Sequence, residues 1–193
     1  MITDQELVAQ VLDGDQQAFA ELVETYQQSV YNLAYRMLGN ANEAEDAAQE
    51  AFMRAYQHLN RYDPSRPFKT WLLSITSNYC IDRLRKRRLT WLSIDEPLPP
   101  HPSLTSGVPE PEAAAVAGER NAALQALLAD LAPDYRAAVI LRYWYDMSYA
   151  EIAESLNTTE SAIKSRLFRA RQMLAEELRS GKAPGLAIAM EGV

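Results

Sequence analysis

Six of the ten prolines fall between Pro97 and Pro111, and that cluster constrains the chain more than any other feature. Proline fixes φ and lacks an amide hydrogen, so no regular helix or interior strand runs through Pro97, Pro99, Pro100 and Pro102. The composition predicts an extended linker over residues 93–118. A domain of residues 1–92 precedes it and a second domain of residues 119–180 follows. The tail 181–193, with Gly181, Pro184, Gly185 and Gly192, reads as loose around an apolar centre, Leu186 to Met190.

Both domains have helical spacing. Leu7, Val8, Val11 and Leu12, then Phe19, Leu22, Val23, Tyr26, Val30, Leu33 and Leu38, recur at intervals of a helical face. Gly14 and Gly39-Asn40 punctuate these helices. A third helix is expected from Ala41 to Leu59 and a fourth from Phe68 into an arginine-rich run, with a polar loop between them. After the linker, Leu124, Leu127, Leu128 and Leu131 share one face, and Pro133 restarts the chain. A helix from Tyr135 to Tyr145 follows. Ser148 to Glu151 forms a capping-box pattern for a short helix, and Thr159 suits the N-cap of a last helix through Leu178. The expected fold class is all-α: two small helical domains joined by a proline-rich linker, the second a helix-turn-helix of the winged-helix-like superfamily without strands.

Several function classes are disfavoured. No apolar run approaches the roughly 20 residues that span a bilayer. The acidic start, Met1 to Glu6, lacks the basic and then apolar character of a signal peptide, so the expectation is a cytoplasmic protein with no membrane insertion. Cys80 is the single cysteine and cannot form an internal disulfide; with His58 and His101 alone beside it, no closed Cys/His zinc site can be built. No nucleophile elbow and no glycine-rich phosphate loop is present, so neither an enzyme nor a cofactor is expected.

Net charge is −7, which taken alone argues against a polyanion partner. The average hides segregation. Residues 1–63 hold three basic against eleven acidic groups, whereas residues 64–92 hold seven basic groups against Asp82 alone. Residues 93–118 carry four acidic groups and no basic one. In the last helix Lys164, Arg166, Arg169 and Arg171 form a second basic patch against Glu160. Two basic surfaces on an acidic chain suggest two contacts to nucleic acid and a cationic partner elsewhere.

Ala153, Asn157 and Ile163 hold helix-turn-helix spacing: a small residue where helices cross, a left-handed turn residue, and a buried aliphatic. Ile163, Leu167, Ala170 and Leu174 would face inward. Ser161, Lys164, Ser165, Phe168 and Arg169 would face outward with Arg166 at the flank, as a major-groove face requires. A helical hairpin with a solvated cationic side has the same pattern. In the first basic region, Phe68, Trp71 and Leu72 read as core, while Tyr62, Asn78 and Arg83 are polar enough to meet unstacked bases. Part of the arginine run can instead offset the helix dipole.

Three stretches in order, Asn42 to Tyr56, Phe68 to Arg88 and Met147 to Leu178, resemble bacterial RNA polymerase sigma factors of the small extracytoplasmic-function group of the sigma-70 family. The resemblance implies a promoter-specificity subunit that binds core RNA polymerase at its largest-subunit clamp helices and flap, recognises two promoter DNA elements and helps melt the start site. Asp46, Gln49, Glu50 and Arg54 fall where such factors dock on the clamp helices. Asn60, Arg61, Tyr62, Asp63, Ser65 and Arg66 match the loop that captures a flipped base of the minus-ten element. Asn78, Asp82, Arg83, Lys86 and Arg87 match the adjoining helix. Glu160, Ser161, Lys164, Ser165, Arg166 and Arg169 match the recognition helix for the minus-thirty-five element. The acidic linker occupies the place of a segment that threads towards the RNA exit path, and an anti-sigma protein is implied as a second partner. Ala47-Ala48 departs from the larger aliphatics common in the clamp-binding helix.

Two other classes fit parts of the pattern. A stand-alone helix-turn-helix regulator would bind palindromic duplex as a dimer and would leave the acidic first domain without a role. A nucleic-acid enzyme would need a carboxylate cluster for metal. Asp46 and Glu50 share a helical face, but no matching cluster accompanies them.

Overall fold

The computed structural model describes residues 3–92 and 112–179, and every regular element among them is helical. Helices α1 (Asp4–Leu12), α2 (Gln16–Leu38), α3 (Ala41–Gln57) and α4 (Phe68–Leu92) precede the proline cluster. Helices α5 (Glu112–Asp130), α6 (Pro133–Trp144), α7 (Tyr149–Ser155) and α8 (Glu160–Arg179) follow it. The expectations for residues 93–111 and for the tail 181–193 lie outside the described residues.

Local chemistry sets the breaks. Thr3 and Glu6 cap α1 reciprocally, Thr3 Oγ1 accepting from the Glu6 amide at 3.3 Å while the Glu6 carboxylate accepts from the Thr3 amide at 2.7 Å. Asp15 caps α2 by accepting from the Gln17 amide at 2.9 Å. Gly39 ends α2 at φ 72°, a left-handed conformation that glycine adopts without steric cost, and Asn40 then caps α3. Three boundaries differ from expectation, the first being α6, which begins at Pro133 rather than Tyr135. Helix α3 stops at Gln57, and Leu59–Arg61 forms a separate 3-10 turn. Residues 112–118, expected to be extended, belong to α5. Pro111 is the last proline of the cluster, and the run Glu112-Ala113-Ala114-Ala115 that follows it has the highest helix propensity available.

Two apolar clusters build the core. One joins Leu7, Val11, Leu22 and Val30 to Phe52, Leu59, Tyr62, Phe68 and Leu72. The other spans the linker: Leu33, Met37, Leu73 and Ile81 pack in one cluster with Leu128, Ile140, Leu141, Ile152 and Ile163. Ala44, Ala47, Ala51 and Ala55 line the inner side of α3 and are fully buried; of the two residues noted as a departure, Ala47 lies in this contact and Ala48 is partly buried against the first cluster. The two halves therefore share apolar surface, and the burial is worth about 25 cal/mol per Å2 of apolar area withdrawn from water.

Polar contacts fix their register. Arg136, 7% exposed in the first part of α6, donates from Nη1 to the Met37 carbonyl at 2.5 Å and from Nη2 to the Ala129 carbonyl at 2.7 Å and the Leu131 carbonyl at 3.2 Å. Burial, with repulsion from Arg87, pushes its guanidinium down to about 10. Tyr145 donates to the Ser29 carbonyl at 2.6 Å, and Asn78 donates to the Ser155 carbonyl at 2.7 Å. Replacing Arg136 by Ala strands the Met37 and Leu131 carbonyls in the interior and removes the bond to Ala129 at its edge, so Arg136→Ala is expected to lower unfolding free energy by about 3 kcal/mol in urea titration. Arg136→Lys, with a single ammonium that cannot span both helix ends, should recover only part of that loss.

Candidate nucleic-acid interface

Helix α3 presents a polar side on which Asp46 and Gln49 are exposed and Glu43, Glu50 and Arg54 are half-buried. Arg54 donates to Glu50 at 2.7 Å and lies over the Tyr79 ring at 4.8 Å. Helix α4 answers this side with cations. Arg87 donates to both carboxylate oxygens of Glu43 at 2.7 and 2.8 Å, and Arg83 stands 3.8 Å from Asp46. Tyr79 accepts from Arg83 at 3.2 Å, which, with the nearby carboxylates, holds the Arg83 guanidinium above its ordinary value. Solvent-accessible pairs of this kind are worth about 0–1 kcal/mol each, so they orient side chains more than they stabilise the fold.

The loop between α3 and α4 is built from within. Tyr62 is 7% exposed and packs in a cluster with Phe68 and Trp71, ring centroids 5.5 and 5.3 Å away. Its hydroxyl donates to the Arg66 carbonyl at 2.5 Å. Tyr62, read from the sequence as polar enough to meet a base, has its ring buried here, because the two aromatic side chains at the start of α4 offer it more contact than solvent does. Asp63 accepts from the Ser65 amide at 2.9 Å, which holds its carboxyl below the usual range, with Arg66 adding to the effect. Asn60, Arg61, Asp63, Ser65 and Arg66 remain exposed around this brace.

Along α4, Asp82 and Lys86 are exposed, whereas Asn78, Arg83 and Arg87 are half-buried. Asn78 donates to the Ser74 carbonyl at 2.8 Å as well as to Ser155, so its amide is occupied where α4 meets α7. Cys80, which no role above requires, is fully buried, and burial pushes its thiol up to about 12.

Helices α7 and α8 form the helix-turn-helix. Ser148 accepts from the Glu151 amide at 3.2 Å while Glu151 accepts from the Ser148 amide at 2.8 Å, the expected capping box. Asn157 takes φ 50° in the turn, and Thr159 accepts from the Ala162 amide at 3.2 Å to start α8. Ile163, Leu167 and Ala170 are buried, and Leu174 packs on the same cluster. Glu160, Ser161, Lys164, Ser165, Phe168 and Arg169 are exposed, with Arg166 half-buried beside them. Lys164 lies 5.8 Å over the Tyr149 ring, and Arg169 donates to the Tyr135 hydroxyl at 3.4 Å. Lys164 and Arg169 of α8 are exposed, whereas Arg166 of α8 and Arg85 of α4 both approach Asp134. Sequence reading leaves out Arg85, Asp134 and Glu154. Asp134 accepts two bonds from Arg85, 49 positions away, at 3.0 and 2.9 Å, and no local pattern signals a contact of that range.

A capped helix-turn-helix beside a second basic helix marks a DNA-binding class of protein. Residues 22–90 match the family model Sigma-70 region 2, and residues 121–174 match Sigma-70, region 4. The chain is 39% identical over 177 residues to the ECF RNA polymerase sigma factor SigW of Bacillus subtilis, covering 89% of this chain and 95% of that one. It is 37% identical over 169 residues to the ECF RNA polymerase sigma factor SigE of Mycolicibacterium smegmatis, covering 86% of this chain and 64% of that one. Among solved structures, CnrH in complex with the cytosolic domain of CnrY is similar at a TM-score of 0.67 and 26% identity, over 92% of this chain and 97% of that one. The chain belongs to the extracytoplasmic-function RNA polymerase sigma factors. It is therefore a transcription initiation subunit that directs bacterial RNA polymerase to promoters, not an enzyme. Among the described residues, no helix is long and apolar enough to cross a membrane.

The turn carries a direct test. Only a residue that tolerates positive φ suits position 157, so Asn157→Ala should cost about 1–2 kcal/mol of stability by thermal melting, while Asn157→Gly should hold the wild-type value.

Proposed function

We propose that this sigma factor divides its work among three surfaces. Asp46, Gln49, Glu50 and Arg54 on α3 dock on the clamp helices of core polymerase. The loop Asn60 to Arg66 and the polar residues of α4, Asn78, Asp82, Arg83, Lys86 and Arg87, take the melted minus-ten element. The outward side of α8, through Glu160, Ser161, Lys164, Ser165, Arg166 and Arg169, reads the minus-thirty-five element in the major groove. The observation that carries this reading is α8 itself: one face is locked by Ile163, Leu167 and Ala170, which leaves Lys164, Ser165 and Arg169 on the opposite side of a capped helix.

In this scheme phosphate contacts set position and a few base contacts set sequence. The flipped base is stabilised in a pocket beside the Asn60 to Arg66 loop, offsetting an unstacking cost of a few kcal/mol. The division assigns residues 1–92 to polymerase and the minus-ten element and residues 119–180 to the minus-thirty-five element. Residues 93–118 connect the two, and their four acidic groups suit a path lined for RNA. The protein works in the cytoplasm, and an anti-sigma protein controls it. The solved CnrH, which shares 26% identity with this chain, is bound to the cytosolic domain of CnrY.

The two halves of the scheme separate by mutation. Arg169→Ala should weaken promoter affinity of the reconstituted holoenzyme about tenfold, one phosphate or base contact's worth, with core affinity unchanged in a pull-down. Equal loss of both affinities contradicts the division of labour. Glu50→Lys should do the reverse: it inverts a charge on the docking side and should reduce holoenzyme assembly while the fold, by circular dichroism, stays intact. Normal assembly of that variant removes α3 as the docking helix.

A further inference from the structure

Helix α1 has no part in the scheme above, and the family match begins at residue 22, after it. Its inward residues Leu7, Val8 and Val11 pack in one cluster with Leu59, Tyr62 and Phe68, which sets α1 against the minus-ten loop. Polar contacts fix its first turn. The reciprocal caps of Thr3 and Glu6 close it, and Tyr26 of α2 donates its hydroxyl to Asp4 at 2.5 Å while its ring lies 5.7 Å from that of Phe68. From this anchored turn the next residue, Gln5, reaches 59 positions along the chain: its amide donates to the Pro64 carbonyl at 2.6 Å.

The position of that acceptor decides what the bond can do. Asp63 to Arg66 form a β-turn, closed by the Arg66 amide donating to the Asp63 carbonyl at 3.1 Å, with Pro64 at its second position. Turns of type I and type II differ in the orientation of the central peptide, and proline at the second position suits both. Here the central peptide is Pro64–Ser65, and Ser65 does not take the positive φ that type II requires. Both polar groups of this peptide are held. The Asp63 carboxylate accepts from the Ser65 amide at 2.9 Å within the turn, and Gln5 supplies the bond to the Pro64 carbonyl from outside it. A flip of the peptide would break both bonds.

We propose that Gln5 is a positioning residue for minus-ten recognition: from α1 it locks the central peptide of the Asp63 to Arg66 turn, so that the loop meets the extruded base in one conformation. This rests on the assignment of the Asn60 to Arg66 loop to the minus-ten element. A loop fixed before binding loses little further conformational freedom when the base arrives, and that saving appears as affinity for the correct base. Gln5 need not touch the base, because it acts through the backbone that carries Ser65 and Arg66.

The test uses the full chain assembled with core polymerase. One probe is the single-stranded minus-ten segment of a promoter that the wild-type holoenzyme selects from a random library; the other is the same strand made abasic at the position where the wild type loses most affinity. Gln5→Glu keeps the side chain's size but sets a carboxylate oxygen against the Pro64 carbonyl. Gln10→Glu adds the same charge at an exposed position of the same helix. Gln5→Glu should bind the intact strand about fivefold more weakly, with affinity for the abasic strand, affinity for core polymerase and Tm unchanged. Gln10→Glu should match the wild type throughout. Wild-type discrimination in Gln5→Glu, an equal loss on both strands, or the same loss in Gln10→Glu overturns the proposal. Asn60→Ala combined with Arg61→Ala separates this failure from failure of the loop assignment. Wild-type discrimination by that pair sinks the assignment and the proposal together, whereas lost discrimination by the pair beside intact discrimination in Gln5→Glu sinks the role of Gln5 alone.

Discussion

A single buried cation ties the two halves of this protein together. Arg136 sits at the start of α6 and directs its guanidinium at the ends of two other helices, taking the Met37 carbonyl of α2 and the Ala129 and Leu131 carbonyls around the end of α5. Helix ends leave carbonyls without intrahelical partners and carry partial negative charge. A planar donor fork placed between two such ends satisfies both at once, which an ammonium or a neutral amide could not do. The position of α6 follows from that contact, and with it the positions of α7 and α8, because the shared core of Ile140, Leu141, Ile152, Ile163 and Leu167 locks the three together.

Placement of α7 and α8 then determines which polar groups face solvent and which face protein. Asn78 and Arg66 meet α7, and Arg85 of α4 and Arg166 of α8 both meet Asp134 of α6, while Lys164 of α8 stays exposed. The same residues serve twice, as partners of the chain's own carboxylates and as the polar groups best placed for nucleic acid. An acidic protein can bind a polyanion because its charge is sorted by surface. Arg83 and Arg87 of α4 meet the acidic side of α3, while Lys164 and Arg169 of α8 lie exposed on another surface.

Much of this was legible in the sequence because it rests on local chemistry. The capping box at Ser148 and Glu151, the turn at Asn157, the cap at Thr159 and the inward row Ile163, Leu167 and Ala170 follow from interactions within four residues or from helical periodicity, and each appears as expected. The family resemblance rested on the same stretches. What escaped was long-range or context-dependent. Tyr62 reads in isolation as a polar loop residue, and the packing of Phe68 and Trp71 against it is what buries its ring. Helix α5 begins at Glu112, since the alanines after Pro111 outweigh the linker composition before it. Arg136, Asp134 and Glu154 carry no motif. Their roles exist only once α6 and α7 are packed against α2 and α4.

Promoter specificity, on this account, reaches RNA polymerase through two spaced reading surfaces of one chain. Run-off transcription by bacterial core polymerase on a library of random upstream sequences, with and without the protein, tests that most directly. Transcripts are expected only when the protein is present, from templates that share two short elements at a fixed separation. Transcripts that are independent of the protein, or templates enriched for a single palindromic site, would contradict it.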